Sequence, residues 1–318
     1  MKRKACLIFN PVAGQGDSEE NLATIKSYLE PEFALEVQLT TKEVSGGELA
    51  KKAVEDGAEI IIASGGDGTV SAVAEASIDK DVILGIIARG TANAFANALG
   101  IPVTIEAACE TILAGTTKKV DAALCNDKPM ILLAGVGFEA DTVEDADREA
   151  KDRLGILAYV LSGLKQLKEF TQFTAEIETS KKIINVKTSA ITIANAAPAS
   201  SVLAQGTAGV IFDDGLLDIT ILSPQNAAGA IATSIQLLQS AANDETVERQ
   251  GVGYLRSEWV KVTTEPPQKV VLDGEIIGTT PIEVKCIPGG LTVFVPSELV
   301  TQADEQLDNL PGVDIKLK

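Results

Sequence analysis

The sequence has no histidine among its 318 residues. This absence excludes Ser-His-Asp triads, histidine general bases and histidine-ligated metal sites together. Any proton transfer must therefore fall to Asp, Glu, Lys, Tyr or Cys. Any bound metal is expected to be a hard ion with oxygen ligands, such as Mg²⁺.

Cysteines, aromatic residues and long apolar runs are also scarce. The four cysteines form no CxxC pair, which is typical of reduced core residues in a cytosolic protein. Aromatic residues make up only 4% of the chain, so the cores must rest on aliphatic side chains. No run approaches the roughly 20 apolar residues of a membrane span, and the first residues do not form a signal peptide. We therefore expect a cytoplasmic protein.

Positive charge is in short supply. The chain has 27 Lys and Arg residues against 45 Asp and Glu residues, which gives a net charge of −18. Nucleic acid is disfavoured as a partner, because neutralising its phosphates needs a basic surface. An anionic membrane would also repel this charge unless basic residues cluster.

The pattern along the chain changes near its middle. Residues 1–125 alternate strands and helices, which predicts a doubly wound, mostly parallel α/β domain. Strand-like runs dominate residues 126–296 and predict an antiparallel β-sandwich domain, interrupted by helices at 154–170 and 227–238. The polar tail, residues 297–318, is expected to complete the first domain.

Three glycine-bearing loops follow predicted strands of the first domain. They are NPVAGQG at 10–16, SGGDGT at 64–69 and RGTANA at 89–94. In open α/β sheets, the carboxyl ends of the strands form the ligand crevice, and glycines let backbone N–H groups approach a phosphate. None of these loops is a Walker A or GxGxxG motif. We therefore expect a phosphate site of a different design.

Asp67 is unusual inside such a loop. Its carboxylate would repel phosphate unless a cation lay between them, and Mg²⁺ would resolve the conflict. The alternative is that Asp67 only caps the helix that begins at Thr69. Convergence of the three loops on one sheet edge favours the functional interpretation.

The GGDGT run resembles a signature of the diacylglycerol kinase catalytic-domain family, shared with NAD kinases and more loosely with phosphofructokinases. An ordered set of motifs spanning most of the chain is similar to the bacterial lipid-kinase branch of the first family. The set comprises NPVAG (10–14), GGDGT (65–69), LGIIARGTANAFANALGIP (84–102), AGVGFEAD (134–141), DDGLLDIT (213–220) and LDGE (272–275).

The resemblance implies an ATP site in the first domain. The residues that it assigns to ATP are Asn10, Pro11, Gly14, Thr40, Thr41, Gly65, Gly66, Asp67, Gly68, Thr69, Gly90, Thr91 and Asn93.

The resemblance also implies two Mg²⁺ sites. Asp67 and Asp121 would belong to the catalytic one. The Asp214 side chain and the carbonyls of Ile211 and Leu216 would hold a structural one. The alternative for this second segment is a simple turn that enters a strand.

Glu275 is the implied general base, supported by Asp273. Transfer of phosphate to an alcohol needs a base near the hydroxyl, and in a histidine-free chain a carboxylate is the obvious choice. Asp273 and Gly274 are also a typical hairpin pair. Both interpretations can hold, because a turn beside a cleft is a good place for a base.

One position departs from the family pattern. Ala94 stands where the family commonly has an Asp that joins the carboxylates at the metal. Either the remaining carboxylates suffice, or the metal binds more weakly, or the protein is not a kinase. The neighbouring Arg89 either helps to hold phosphate charge or pairs with an acid at the surface.

Together these features predict an ATP- and Mg²⁺-dependent kinase that phosphorylates a lipid hydroxyl, such as that of diacylglycerol or a sphingoid base. It would act peripherally at a membrane surface, and an exposed sheet edge favours a homodimer. One alternative is an NAD kinase-like enzyme. The other is a non-catalytic nucleotide- or lipid-binding relative.

Overall fold

The computed structural model describes residues 2–14, 16–137, 172–198, 201, 210–223 and 252–297. The predicted helices at 154–170 and 227–238 lie outside the described residues. So does nearly all of the tail whose packing was predicted.

The first part of the chain alternates strands and helices as predicted. The elements are β1 (Arg3–Phe9), α1 (Ser18–Leu29), β2 (Phe33–Leu39), α2 (Gly46–Glu55), β3 (Ile60–Gly65), α3 (Asp67–Ser77), β4 (Ile83–Ala88), α4 (Ala94–Ala98) and α5 (Ile105–Ala114). The strands lie in the order β2-β1-β3-β4 and are all parallel. The parallel α/β fold is thus confirmed, and it brings the ends of β1, β3 and β4 side by side.

The sequence predicts a helix over residues 91–99, but α4 covers only Ala94–Ala98. Asn93 has a left-handed backbone, with φ at 48°. Its Oδ1 accepts a hydrogen bond of 2.8 Å from the N–H of Gly90. Residues 90–93 therefore form a tight turn, because an Asn side chain readily bonds its own nearby backbone, and the helix begins only at Ala94.

Strands dominate the second part of the chain. They are β5 (Thr117–Cys125), β6 (Lys128–Met130), β7 (Leu133–Gly137), β8 (Phe173–Thr179), β9 (Ile183–Thr188), β10 (Ala190–Ala194), β11 (Leu217–Leu222), β12 (Val252–Ser257), β13 (Trp259–Glu265), β14 (Lys269–Leu272), β15 (Glu275–Thr279) and β16 (Ile282–Phe294). One antiparallel sheet has the order β12-β11-β10-β7-β14-β15.

The second core lies between this sheet and the strands β8, β13 and β16. Alternate side chains of both layers, such as Val136, Ile193 and Val260, are fully buried in it. Alternation of buried and exposed residues along β13 and β8 is the pattern of a sheet with one covered face. The predicted antiparallel domain is confirmed.

Strand β16 joins the two parts. The sequence predicts two strands here, at 282–286 and 291–295, but the structure has one strand with a bulge between Ile287 and Leu291. Its first part pairs with β13, and its end pairs in parallel with β4, placing Thr292 opposite Ile83. A hydrogen-bonded sheet therefore runs from the first part into the second. The division of the chain at residue 125 remains a proposal.

The cysteines are all buried and free. Burial is the main cause that raises the pKa of the Cys6 and Cys109 thiols to about 12. Such thiols are unreactive core residues, as the composition predicts.

Candidate active site

Three loops meet where β1, β3 and β4 end. The Asn10 side chain donates a hydrogen bond of 2.9 Å to Thr69 Oγ1, and the Asn10 N–H donates one of 2.8 Å to the Ser64 carbonyl. The backbone N–H of Arg89 donates to the Gly65 carbonyl at 2.7 Å. The predicted convergence of these loops is therefore present, and direct hydrogen bonds hold it.

Glycines allow the loops to approach so closely. A Cβ on Gly90 would lie 2.9 Å from the Cα of Gly66. A Cβ on Gly65 would lie 2.6 Å from the Cβ of Thr69. Real Cβ atoms do not approach other atoms at such distances, so these two positions require glycine for loop packing. A Cβ on Gly68, by contrast, would meet nothing within 4 Å. Gly68 therefore leaves the open space that an incoming group could use.

Arg89 lies beneath the loops. It is only 7% exposed, and its guanidinium donates 3.0 Å hydrogen bonds to Ser64 Oγ and to the Ala13 carbonyl. It also donates to the carbonyl of Asn10 and stacks 4.0 Å from the centre of the Phe9 ring. The predicted pairing with a surface acid does not fit this geometry, because the partners are carbonyls, a hydroxyl and a ring; the role towards phosphate charge stays a prediction. Arg89 instead ties the first loop to the other two.

Burial lowers the pKa of Arg89, but arginine remains protonated in proteins. A permanent positive charge therefore sits directly under the loops. Such a charge favours an anion above them.

Asp67 is not the cap of the helix that follows it. The N-cap of α3 is Gly66, and the helix has no side-chain cap. The Asp67 carboxylate accepts hydrogen bonds from the backbone N–H groups of Asn93, at 3.0 Å, and Ala94, at 2.5 Å. The capping alternative is therefore wrong, and Asp67 instead fastens the second loop to the third. Each carboxylate oxygen retains a further lone pair that a metal-bound water could use.

The predicted nucleotide-contacting threonines lie in different settings. The N–H of Thr40 donates to the Phe9 carbonyl at 3.0 Å, which places Thr40 beside the end of β1. Thr41 forms a local turn, because its Oγ1 bonds the side chain and N–H of Glu43. Thr91 is exposed in the third loop. Thr40 and Thr91 are thus better placed than Thr41 to contact a ligand.

Asp121 is buried away from solvent in β5. One carboxylate oxygen accepts from the N–H of Gly215 and the other from the N–H of Gly289, both at 2.7 Å. It therefore anchors the loop before β11 to the bulge of β16. Among the described residues, no group of three acidic or cysteine side chains could hold a metal ion. A joint Mg²⁺ site of Asp67 and Asp121 stays a prediction.

The turn between β14 and β15 carries the predicted base. Asp273 and Gly274 both have positive φ, at 47° and 91°, so the predicted hairpin turn is present. The Asp273 carboxylate accepts three backbone hydrogen bonds, of 2.7 to 3.0 Å, from residues 131–133. Burial raises the pKa of Asp273, and these three bonds oppose the rise. Glu275 follows, exposed, as the first residue of β15.

Glu75 is a further acid that the motifs did not identify. It lies near the end of α3, the helix that starts at Asp67, and is half-buried. Burial raises its pKa, and the negative charges of Asp273 and Glu275 raise it further. The C-terminal end of α3, rather than the GGDGT loop at its start, is therefore the part of the helix that faces the charges of this turn. The available signal was a single Glu in the otherwise uncharged run 70–77.

Comparison with known proteins agrees with this geometry. Residues 4–125 match the Diacylglycerol kinase catalytic domain family, and residues 133–295 match the YegS C-terminal NAD kinase beta sandwich-like domain. The chain belongs to the diacylglycerol kinase catalytic-domain family. This kinase-family chain therefore carries its GGDGT loop in the first matched domain and its DGE turn in the second.

Relatives of this family member cover most of its length. It is 52% identical over 303 residues to an uncharacterized protein of Synechocystis, covering 92% of this chain and 70% of that one. It is 29% identical to the "Diacylglycerol kinase" of Bacillus subtilis, and the match covers 95% of this chain and 100% of that one. It is 30% identical to a "Probable lipid kinase YegS-like" protein of Stenotrophomonas maltophilia, and the match covers 83% of this chain and 87% of that one.

A solved structure has the same architecture. The crystal structure of a putative diacylglycerol kinase from Bacillus anthracis superposes with a TM-score of 0.76 at 25% identity, covering 93% of this chain and 98% of that one. In the part of the kinase-family chain that the structure describes, no helix has the length and apolarity to cross a membrane.

Proposed function

We propose that this protein transfers the γ-phosphate of ATP to a lipid hydroxyl in a reaction that requires Mg²⁺. The observation that carries the proposal is the junction of the three loops at the ends of β1, β3 and β4, held by hydrogen bonds that involve Asn10, Arg89 and Asp67. The helix that starts at this junction, α3, packs into the same core as Ile131 and Leu132, whose N–H groups donate to Asp273. Loops suited to phosphate and the turn that carries a base for the acceptor are thus held on one core.

The nucleotide would bind at the three loops. The first N–H groups of α3 have no partners within the helix, and they favour an anion together with the helix dipole. Gly68 leaves open space beside them, and Arg89 adds positive charge below. Asn10, Thr40, Gly66 and Thr91 are further candidates for contact with ATP.

The loops also suit a magnesium ion. Asp67 has half-buried carboxylate oxygens, each with a lone pair that its hydrogen bond does not use. Mg²⁺ prefers such oxygen ligands and often contacts them through a bound water. The ion would neutralise charge on the phosphates. Asp121 would contribute only through the surrounding structure, because it is buried in β5 and anchors Gly215 and Gly289.

Glu275 would act as the general base. It removes the proton from the lipid hydroxyl as that oxygen bonds to the γ-phosphorus, and the bond from the γ-phosphorus to the bridging oxygen of ADP breaks. Asp273 does not exchange protons in this scheme. It holds the turn through three backbone amides, so that Glu275 stays at a fixed place.

The lipid acceptor would be reached at a membrane surface. Val12, in the first loop, is 89% exposed, and Val44, beyond the end of β2, is 37% exposed. Apolar side chains at the rim of the cleft favour contact with lipid. We propose a cytoplasmic protein that binds the membrane peripherally. A homodimer through a sheet edge remains part of the proposal.

The test is a transfer assay with labelled ATP, Mg²⁺, vesicles of total lipid extract and, separately, NAD. We expect a labelled lipid, and we expect Glu275→Gln to lower its rate by about 10² to 10⁴. Glu283→Gln is the matched control, because Glu283 is an exposed glutamate on β16, a strand that pairs with β13, β5 and β4 rather than with β15.

Other outcomes would decide against the proposal. Equal rates for wild type and Glu275→Gln would remove the base assignment. Labelled NADP without labelled lipid would favour the NAD kinase-like alternative. ATP binding with no transfer to any acceptor would favour the non-catalytic relative suggested by Ala94.

A further inference from the structure

The loop that enters β11 concentrates negative charge. Asp213, Asp214 and Asp218 lie within six residues of one another, and Asp121 contacts the same loop through the N–H of Gly215. Asp218 has no exposed surface. Carboxylates in such surroundings need a cation, since an unpaired buried charge is very costly.

Two side chains of the protein supply the cations. Lys118 Nζ lies 2.6 Å from the Asp213 carboxylate. Arg256, on β12, bridges the other two acids: its Nη2 lies 2.6 Å from Asp214 Oδ2, and its Nε lies 2.9 Å from Asp218 Oδ1. Tyr254 donates its hydroxyl to the same Asp218 oxygen. Side-chain cations of the fold thus contact all three carboxylates of the loop and offset most of their charge.

This arrangement does not fit the structural Mg²⁺ site that the resemblance implies at Ile211, Asp214 and Leu216. A magnesium ion lies about 2.1 Å from each ligand oxygen. At Asp214 Oδ2 it would meet the guanidinium already bound there, and the two positive charges would repel each other. The other oxygen, Oδ1, accepts the N–H of Leu216 at 3.1 Å.

Arginine is well suited to replace such an ion. Its guanidinium stays charged at all physiological pH values, so that it can serve two carboxylates at once as an ion-pair partner. Here Nε and Nη2 lie within ion-pair distance of the carboxylates but make no hydrogen bond of normal geometry. Burial lowers the pKa of Arg256, but the negative charges of Asp218 and Asp214 raise it above its ordinary value.

We propose that Arg256 occupies the place of the structural metal ion, so that the loop at 211–218 is held without any divalent cation. The Mg²⁺ site predicted at Ile211, Asp214 and Leu216 is then absent from this chain. The inference concerns folding alone and does not depend on the proposed kinase reaction.

The test measures the melting temperature of the full chain without nucleotide. For the wild type, EDTA or millimolar Mg²⁺ or Ca²⁺ is expected to shift the melting temperature by less than about 1 °C. Arg256→Met should melt about 5 to 7 °C lower, because it leaves two carboxylates without their cation. Mg²⁺ or Ca²⁺ should restore part of this loss, and Asp214→Asn in the same chain should abolish the restoration.

Lys118→Met is the matched control. It removes the other ion pair of the loop, with Asp213, which is not among the predicted metal ligands. Divalent ions should therefore not restore its stability.

The proposal is overturned if divalent ions stabilise the wild type and Asp214→Asn removes that gain while Asp67→Asn keeps it. This outcome would place a metal at the loop rather than at the nucleotide site. The wild-type and Asp214→Asn measurements decide the question even if Arg256→Met does not fold. A failed kinase assay would leave all these results unchanged.

Discussion

The buried guanidinium of Arg89 offers a direct measure of how the loops are held. Arg89→Met keeps a long side chain over Phe9 but removes the donors to Ser64 Oγ and to the carbonyls of Asn10 and Ala13. Each hydrogen bond to a charged group contributes about 1.5 to 3 kcal/mol. The sum overstates the effect, because the variant no longer has to bury a cation.

We therefore expect Arg89→Met to lower the free energy of unfolding by about 3 kcal/mol. This corresponds to a fall in melting temperature of about 4 to 5 °C for a chain of this size. The stability of Arg89→Lys should lie between those of wild type and Arg89→Met, because lysine keeps the charge but has fewer donors and no planar guanidinium. Urea denaturation followed by circular dichroism measures the stability, and calorimetry measures ATP binding in parallel.

Two results would refute this reasoning. If the free energy of unfolding of Arg89→Met lies within about 0.5 kcal/mol of the wild-type value, the contacts with the loop carbonyls do not stabilise the fold. If stability is unchanged but ATP binding is lost, Arg89 contacts phosphate directly, as one of the two sequence interpretations suggested.

Three further variants test neighbouring parts of the site. Gly65→Ala should weaken ATP binding at least tenfold by calorimetry, because its Cβ would lie 2.6 Å from that of Thr69; unchanged affinity would contradict the packing argument. Ala94→Asp should lower the melting temperature without metal, since it sets a second carboxylate beside Asp67, and Mg²⁺ should reverse this loss. Glu75→Gln should stabilise the protein at neutral pH. The raised pKa means that wild type loses stability as pH rises above the ordinary value of 4.5. The stability difference in urea should vanish below that value, and a difference independent of pH would contradict this.

The fold could be predicted from the sequence because its signals are local. Buried runs such as Ile60–Gly65, followed by a glycine loop and a helix, reveal the parallel strands one at a time. Antiparallel strands separated by turn residues do the same for the second part. Strand β16 was missed as a single element because Pro288, Gly289 and Gly290 predict a break, whereas the structure uses them as a bulge.

The candidate site could be predicted only in part. The motifs locate the loops and the DGE turn, but they do not reveal what fastens them. Arg89 donates to carbonyls that are 76 and 79 positions earlier in the chain. Arg256 on β12 pairs with Asp214 in the loop before β11. These contacts depend on tertiary packing, which leaves no pattern in a single sequence. The same is true of Glu75, whose partners lie in a distant turn.

The strand shared by the two halves has a thermodynamic consequence. Because the end of β16 hydrogen-bonds to β4 while its beginning bonds to β13, neither half can melt without stripping backbone partners from the other. The chain should therefore unfold in a single cooperative transition, as one folding unit. A fragment that ends near residue 125 would expose β4 as an unpaired apolar edge and would be expected to aggregate.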